Sequence, residues 1–377
     1  MEAKMNSFCG ILDIRNKELD FNKLRDMGKG LTYKNESTAE ACIDRGVGIL
    51  CAGTPAQLYT KSTPQGELYI AIDSASLETN VSNDALADTF YSVGYDTPSE
   101  LYGHFALAVF DRKKRELSLA TDPLGAKPIF LHKDKDKIVI SSALPALLRY
   151  SPACAEVDKA AVLELIRAPE GEITATDIFK NISELSAGHF MIFSGLGAQI
   201  LKYTPKKDLP PAPPPDITEK ELLPDKLADL KECAEIMTTA LGYPSFDAYT
   251  PEYINAIRAA AKDQTALLIP SKRHSLLHRH NYRKIYALAN RFGVSTYLTE
   301  SESDTVFKKS FLSAREKKLS EIASAILQDE QSHTRRLFGP SLETIVSKES
   351  DALAKIGIWG KIIGLERWLE SYPIAPI

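Results

Sequence analysis

Apolar positions change period about halfway along the chain. Up to about residue 203 they fall in short runs bounded by turn residues or charges: SFCGILDI, GVGILCAG, GELYIAID, HFALAVFD, ELSLATD, KIVISS and HFMIFSG. Such runs, rich in β-branched and aromatic residues, predict strands. Two segments with helical spacing lie among them, NDALADTFYSVG (83–94) and DKAAVLELIRA (158–168). Many strands at hairpin spacing with few helices predict mainly antiparallel sheets carrying helices on the outside. Beyond residue 217 the spacing becomes i, i+3, i+4, which predicts helices over ELLPDKLADLKECAEIMTTALG, PEYINAIRAAAKD, HNYRKIYALANRFG, EKKLSEIASAILQDEQSHTRRLFG and WGKIIGLERWLESY. ANRFG and RRLFG, basic residues closed by glycine, read as helix stops. TALLIP and VSTYLT are expected as short strands.

The two patterns meet at TPKKDLPPAPPPD, residues 204–216, where five of the six residues 210–215 are proline. Proline removes amide donors and favours extended backbone, so this stretch is expected to be a semi-rigid linker. The expected organisation is a domain over 1–203, a linker over 204–216 and a mainly helical domain over 217–377.

Composition narrows the class only a little. Apolar residues make up 44% and charged residues 25%, ordinary for a globular protein, and the net charge of −4 excludes broad binding of nucleic acid or an anionic membrane by the whole molecule. The cysteines are Cys9, Cys42, Cys51, Cys154 and Cys233, an odd number with no C-x-x-C. A disulfide framework or zinc ribbon is not expected, and a reducing cytoplasm fits. No apolar run reaches the ~20 residues of a membrane span, and the N-terminus has no secretory-signal pattern.

The most specific string is DPLGAKPIF, residues 122–130. Locally it is a turn: Asp122 is placed to accept from amides ahead of it, Pro123 fixes φ and Gly125 is conformationally permissive. Taken in order with FCGILDI, LYGHFALAVFDRKKRELSLAT, ISSALPALL and ISELSAGHFMIF, it resembles the glutaminase half of asparagine synthetase, a class II glutamine amidotransferase domain. The tail IWGKIIGLERWLESY is similar to the last helix of the same family's synthetase half. The resemblance implies an α+β chain, with an αββα sandwich of the N-terminal-nucleophile (Ntn) hydrolase type followed by a smaller helical domain like a truncated synthetase half.

The resemblance also implies a site. The family's nucleophile is an N-terminal cysteine whose own α-amine takes the thiol proton. Cys9 is at that position, and eight residues precede it, so its nitrogen becomes an amine only if the chain is cut after Phe8. The family's carboxylate-binding arginine falls at Cys51-Ala52-Gly53, its Asn-Gly-Glu at Asp73-Ser74-Ala75, and its Gly-Ser-Asp near Val81-Ser82-Asn83, with Asp84 next in line. Losing a buried carboxylate–arginine pair costs about 3–5 kcal/mol, and losing an oxyanion donor costs about 10²–10³ in rate. Cys9 therefore reads mainly as a small apolar strand residue. Substrate-contact candidates are Asp73, Ser74 and Asp84, and Arg45 is the nearest cation for a substrate carboxylate. The family's Ser-Gly-Gly-x-Asp-Ser nucleotide loop has no counterpart here; FSGLGAQ at 193–199 reads as a hairpin turn.

A separate feature is SKRHSLLHRHNYRK, residues 271–284, with no acid from Ser271 through Thr299. Lys272, Arg273, Arg279 and Arg283 are candidate anion ligands. His274 and His278 share a helical face, but no further ligand lies near in sequence, so no metal or other cofactor is expected. The sequence points to an asparagine-synthetase-like protein that has lost glutamine hydrolysis and ATP-dependent amide synthesis and acts as a binding or scaffold subunit. It would join an ATP-using synthetase partner or form a homo-oligomer. The alternative is a glutaminase subunit that exposes Cys9 by processing and passes ammonia to such a partner.

Overall fold

A computed structural model of the chain describes every residue except 1–4, 14, 16, 32–37, 55–57, 64–65, 76–82, 102, 169–174, 207–228, 247–249, 264–266, 271–282, 290–295, 300–311, 373–374 and 377. Most of the Pro-rich stretch lies outside the described residues. The strands are β1 (Met5–Asp13), β2 (Thr38–Asp44), β3 (Val47–Thr54), β4 (Leu58–Thr63), β5 (Gly66–Ala75), β6 (His104–Asp111), β7 (Glu116–Thr121), β8 (Phe130–Asp134), β9 (Lys137–Ser141), β10 (Glu156–Val157), β11 (Ser183–Glu184), β12 (His189–Ser194), β13 (Gly197–Lys202), β14 (Leu267–Pro270), β15 (Thr296–Thr299) and β16 (Ala375–Pro376). The helices are α1 (Phe21–Gly28), α2 (Asn83–Val93), α3 (Thr97–Glu100), α4 (Leu144–Leu148), α5 (Lys159–Arg167), α6 (Ala175–Ile178), α7 (Leu230–Leu241), α8 (Thr250–Asp263), α9 (283–289), α10 (Leu312–Gln328), α11 (His333–Lys348) and α12 (Ala352–Ser371). Among the described residues no helix is long and apolar enough to cross a membrane.

The chain forms two compact units that interleave in sequence. One comprises Met1–Tyr150, Ile182–Ile217 and Gln264–Glu302; the other comprises Ser151–Asn181, Thr218–Asp263 and Ser303–Ile377. The change of hydrophobic period near residue 204 marks where strands give way to helices, but not where the compact units divide. The segment around α5 belongs with the helices, and the segment carrying α9 belongs with the sheets.

The first unit holds two six-stranded sheets, ordered β11-β8-β9-β1-β3-β2 and β13-β12-β7-β6-β5-β4, with antiparallel pairing throughout. Strand alternation places one set of side chains between the sheets. Phe8, Leu12, Val47, Ile49 and Ile140 of the first sheet meet Tyr69, Ala71, Phe110, Leu119, Met191 and Phe193 of the second. The outer face of the second sheet, with Leu68, Ile70, Leu107 and Val109, is covered by Leu86, Ala87 and Phe90 of α2. The outer face of the first carries α1: a methyl group placed on Gly48 would lie 2.9 Å from Leu24 Cδ2. The layers therefore run helix, sheet, sheet, helix, as the strand pattern and the resemblance led one to expect. FSGLGAQ is the β12–β13 hairpin turn, with Gly197 at φ +117°. TALLIP and VSTYLT contain β14 and β15, which pair in parallel.

The second unit is built around α12. Ile356, Ile358, Ile362, Ile363, Leu365 and Trp368 are all buried, so the middle of this helix is covered around most of its circumference, while Arg367 and Glu370 near its end stay exposed. Gly364 lets α7 come close; a Cβ there would sit 2.3 Å from Thr238 Oγ1. Polar groups on α12 satisfy the ends of other helices. Lys361 Nζ donates to Leu165 O and Ala168 O at the C-terminal end of α5 (3.0 and 2.7 Å), and Trp368 Nε1 donates to Gly242 O (2.7 Å) just past α7. Glu366 accepts from Ser332 Oγ and the amides of His333 and Thr334 at the start of α11. Two helix expectations need correction. The helix expected over 316–339 is two helices, because Ser332 caps a new start by accepting from the Arg335 amide. RRLFG is not a stop: α11 continues through Gly339 and Pro340, because Phe338 and Leu342 carry one buried stripe across it.

Candidate functional site

Cys9 lies in the middle of β1, a central strand, opposite Leu50 on one side and Ser141 on the other. It is fully buried. Phe8 and Leu12 face the other sheet, so alternation puts Cys9 on the helix-covered face. Burial pushes its thiol well above the ordinary cysteine range, and the neighbouring Cys51 adds to this. The strand continues on the N-terminal side of Cys9, with Phe8 paired to Cys51 and Met5 to Thr54. Phe8 is pinned further by Ser142: the Phe8 amide donates to Ser142 Oγ (3.1 Å), and the Ser142 amide donates to Phe8 O (2.9 Å).

The polar chemistry collects two residues before Cys9. Ser7 Oγ donates to Asp73 Oδ2 (3.0 Å), and Lys127 Nζ pairs with Asp73 Oδ1 (2.7 Å). All three residues are buried, Asp73 to 2% exposure and Lys127 to 4%. Lys127 is positioned by the turn that precedes it. Asp122 accepts from the amides of Leu124 (3.0 Å), Ala126 (3.2 Å) and Lys127 (3.0 Å), the role its sequence position assigned to it. The ammonium also lies 4.8 Å from the centre of the Tyr286 ring, and the Tyr286 hydroxyl hydrogen-bonds His104 Nδ1. A buried carboxylate, ammonium, hydroxyl, imidazole and phenol thus form one connected set. Such a set is tolerated only when its charges are paired.

The expected site residues separate. Asp73 is in the set, with Ser74 next to it on β5 and half-buried. Asp84 is not: it is exposed at the start of α2, where Tyr59 donates to it and Lys61 lies 3.2 Å away. The hydrogen bond from Tyr59, then that from Lys61, holds its carboxyl below the usual range. Arg45 sits in the β2–β3 turn, five residues before Leu50, the partner of Cys9; this is about 17 Å along an extended strand. Lys272, Arg273 and Arg279, with His274 and His278, lie outside the described residues. Arg283 is engaged within the protein: Nε and Nη2 donate to Gly125 O (3.0 and 2.9 Å), and Nη1 donates to Glu184 (3.0 Å). Among the described residues no group of three or more His, Cys, Asp or Glu side chains could hold a metal.

Sequence reasoning missed Ser7, Lys127 and His104, and took Tyr286 only as a packing residue paired with Tyr282 at i, i+4. The signal for Lys127 was the Lys in DPLGAK, which strand and turn patterns treat as an ordinary turn residue.

Residues 67–204 match the family model described as a glutamine amidotransferase domain. The match takes in Asp73, His104 and the Asp122–Lys127 turn, and begins after Cys9. The chain is 30% identical over 146 residues to asparagine synthetase [glutamine-hydrolyzing] 3 of Bacillus subtilis (strain 168), covering 37% of this chain and 24% of that protein. It is 22% identical over 213 residues to asparagine synthetase [glutamine-hydrolyzing] 2 of the same organism, covering 50% and 28%. It therefore spans about a quarter of the length of these relatives. Among solved structures it is similar to a glutamine phosphoribosylpyrophosphate amidotransferase from B. subtilis complexed with ADP and GMP, at 13% identity and a TM-score of 0.39, covering 82% of this chain and 70% of that one. This protein is a divergent, asparagine-synthetase-like chain that carries a class II glutamine amidotransferase domain.

Proposed function

We propose that the sheet unit is an Ntn-type amidotransferase domain that no longer hydrolyses glutamine and now serves as a binding or scaffold subunit. The observation that carries this reading is the position of Cys9: fully buried, in mid-strand, with its thiol held protonated by burial. A nucleophile needs a thiolate and a path for substrate. The Asp73–Lys127 pair supports the same reading. Asp73 stands where the resemblance places an amide-bearing asparagine, and its carboxylate is already engaged inside the protein by Lys127 and Ser7. The partner proposed is an ATP-using synthetase or a second copy of the chain.

The test is glutamate release from L-glutamine by the full chain, alone and with an ATP-using synthetase, beside a Cys9→Ala control. Equal rates in the two proteins are expected. Release that depends on Cys9 would overturn the reading.

The likeness to asparagine synthetases named as glutamine-hydrolyzing favours a second reading, glutamine hydrolysis by a Cys9 freed through cleavage after Phe8. That cleavage would sever a central strand at a peptide bond whose two residues are both fully buried. Intact mass of the protein from its native host separates the readings, since only a chain beginning at Cys9 carries the free α-amine.

A further inference from the structure

We propose that β13 is a dimerisation edge. It pairs antiparallel with β13 of a second copy of this chain, about a two-fold axis at Ile200, and so joins two sheets into one. The proposal rests on the reading of this chain as a binding subunit and names a second copy as what it binds.

The two six-stranded sheets end on β11, β2, β13 and β4. Short or charged edges resist the addition of a further strand, and three of these are of that kind. β11 has two residues. β2 carries Glu40 and Asp44, with Asp44 held by Arg112 and Arg115. On β4, Lys61 is tied to Asp84 and Asp88 of α2. β13 has neither defence: its six residues, GAQILK, are all exposed, and their one charge is Lys202 at the end. Ile200 is 56% and Leu201 45% exposed, and Leu196 at the hairpin tip is wholly exposed. The strand is nonetheless held in place. Every residue of it pairs with β12, and just beyond it Tyr203 Oη donates to Thr121 O (2.7 Å) and the Lys206 amide to Ser99 O (3.0 Å).

Backbone direction sets the register. The Tyr203 amide donates to Gly188 O across the hairpin. Amides alternate in direction along an antiparallel strand, so those of Leu201 and Gln199 also turn toward β12. Those of Lys202, Ile200 and Ala198 turn outward, with no partner strand among the described residues. Pairing centred on Ile200 lets it exchange both bonds with Ile200 of the second copy, and Ala198 with Lys202 of the second copy. This arrangement suits a strand meeting itself. Each Lys202 faces an alanine, and the two lysines stand about 14 Å apart along the strands, beyond the ~8 Å screening length of physiological salt. Ala198 and Ile200 lie opposite Phe193 and Met191, which belong to the core between the sheets, and directly opposed residues share a face. Ile200 meeting Ile200 therefore extends that core across the axis. The segment that follows in this chain is unsuited to the edge, because five of the six residues 210–215 are proline and supply no N–H.

The test is sedimentation equilibrium of the full chain over about 1–100 µM, since so short a seam is at the small end of specific interfaces. Ile200→Pro removes an amide that points away from β12, so the hairpin stays paired while the seam loses the bonds at its axis. Ile200→Lys sets two ammonium groups opposite each other. Both are expected to weaken dimerisation about tenfold or more, with far-UV circular dichroism unchanged. Ile200→Glu mixed with Ile200→Lys is expected to dimerise again as a 1:1 pair, which only pairing at residue 200 predicts. A wild type that stays monomeric throughout this range overturns the proposal. So does a dimer that both variants leave intact, since another surface then holds it, and so does a mixture of the two charged variants that stays monomeric. An unfolded Ile200→Pro also overturns it, because the Ile200 amide would then belong to the β12 ladder. The functional reading fails on a different result, Cys9-dependent glutamate release, whatever the association state shows.

Discussion

Lys127→Met tests the buried ion pair directly. The substitution keeps an unbranched side chain of similar length and removes the ammonium. Asp73, 2% exposed, then keeps the Ser7 hydroxyl (3.0 Å) but loses its counter-charge at 2.7 Å. Breaking a buried pair from one side costs about 3–5 kcal/mol, because the remaining charge has been taken out of water without compensation. For a unit of this size that corresponds to roughly 6–20 °C in Tm. Asp73→Asn added to Lys127→Met removes the orphaned charge, and should bring stability back to within about 1 kcal/mol of wild type. The coupling energy of the cycle should then exceed about 2 kcal/mol. The assay is urea unfolding followed by far-UV circular dichroism. Both tryptophans, Trp359 and Trp368, belong to α12, so their emission reports the helical unit separately and should not move. A loss below about 1 kcal/mol in the single variant, the range of exposed pairs, would refute the argument that this pair is desolvated.

Gly364→Ala would place a methyl 2.3 Å from Thr238 Oγ1 and should cost about 1–3 kcal/mol; Thr238→Ala in the same chain should recover most of that in a tryptophan-monitored melt. Glu366 is pulled two ways: burial raises its pKa, and the hydrogen bonds from Thr334, Ser332 and His333 more than offset this, holding it below the usual glutamate range. A depressed folded pKa contributes stability that is present above the unfolded value and lost as pH falls through the folded one. The urea midpoint of the helical unit should therefore drop on acidification below the ordinary glutamate range, and Glu366→Gln should flatten that drop. Iodoacetamide should modify half-buried Cys42 well before Cys9, Cys51, Cys154 or Cys233, all buried; early modification of Cys9 in peptide maps would contradict its assigned position.

Much of the fold could be read from residue pattern because the pattern has a local cause. HFALAVFD and ELSLAT pair as β6 and β7, and Asp158 caps α5 by accepting from the Ala160 and Ala161 amides. Asp122 behaves as a turn aspartate is expected to. What could not be read depends on long-range contact. Nothing near Lys127 in sequence announces that Asp73 and Tyr286 meet it. Arg283 looked like a surface cation because its counter-charge, Glu184, lies far back in the chain. Gly339 looked like a helix end because local propensity argues for one, and buried neighbours on both sides outweighed it.

The central place of α12 has a consequence for biosynthesis. Every helix it satisfies, α5 through Lys361, α7 through Trp368 and α11 through Glu366, leaves the ribosome before it does. Until α12 is made, those helices have apolar faces with no cover and ends with unmet carbonyls and amides. The helical unit is then expected to complete its folding late, and the nascent chain to pass through an interval in which chaperones hold it and proteases can reach it.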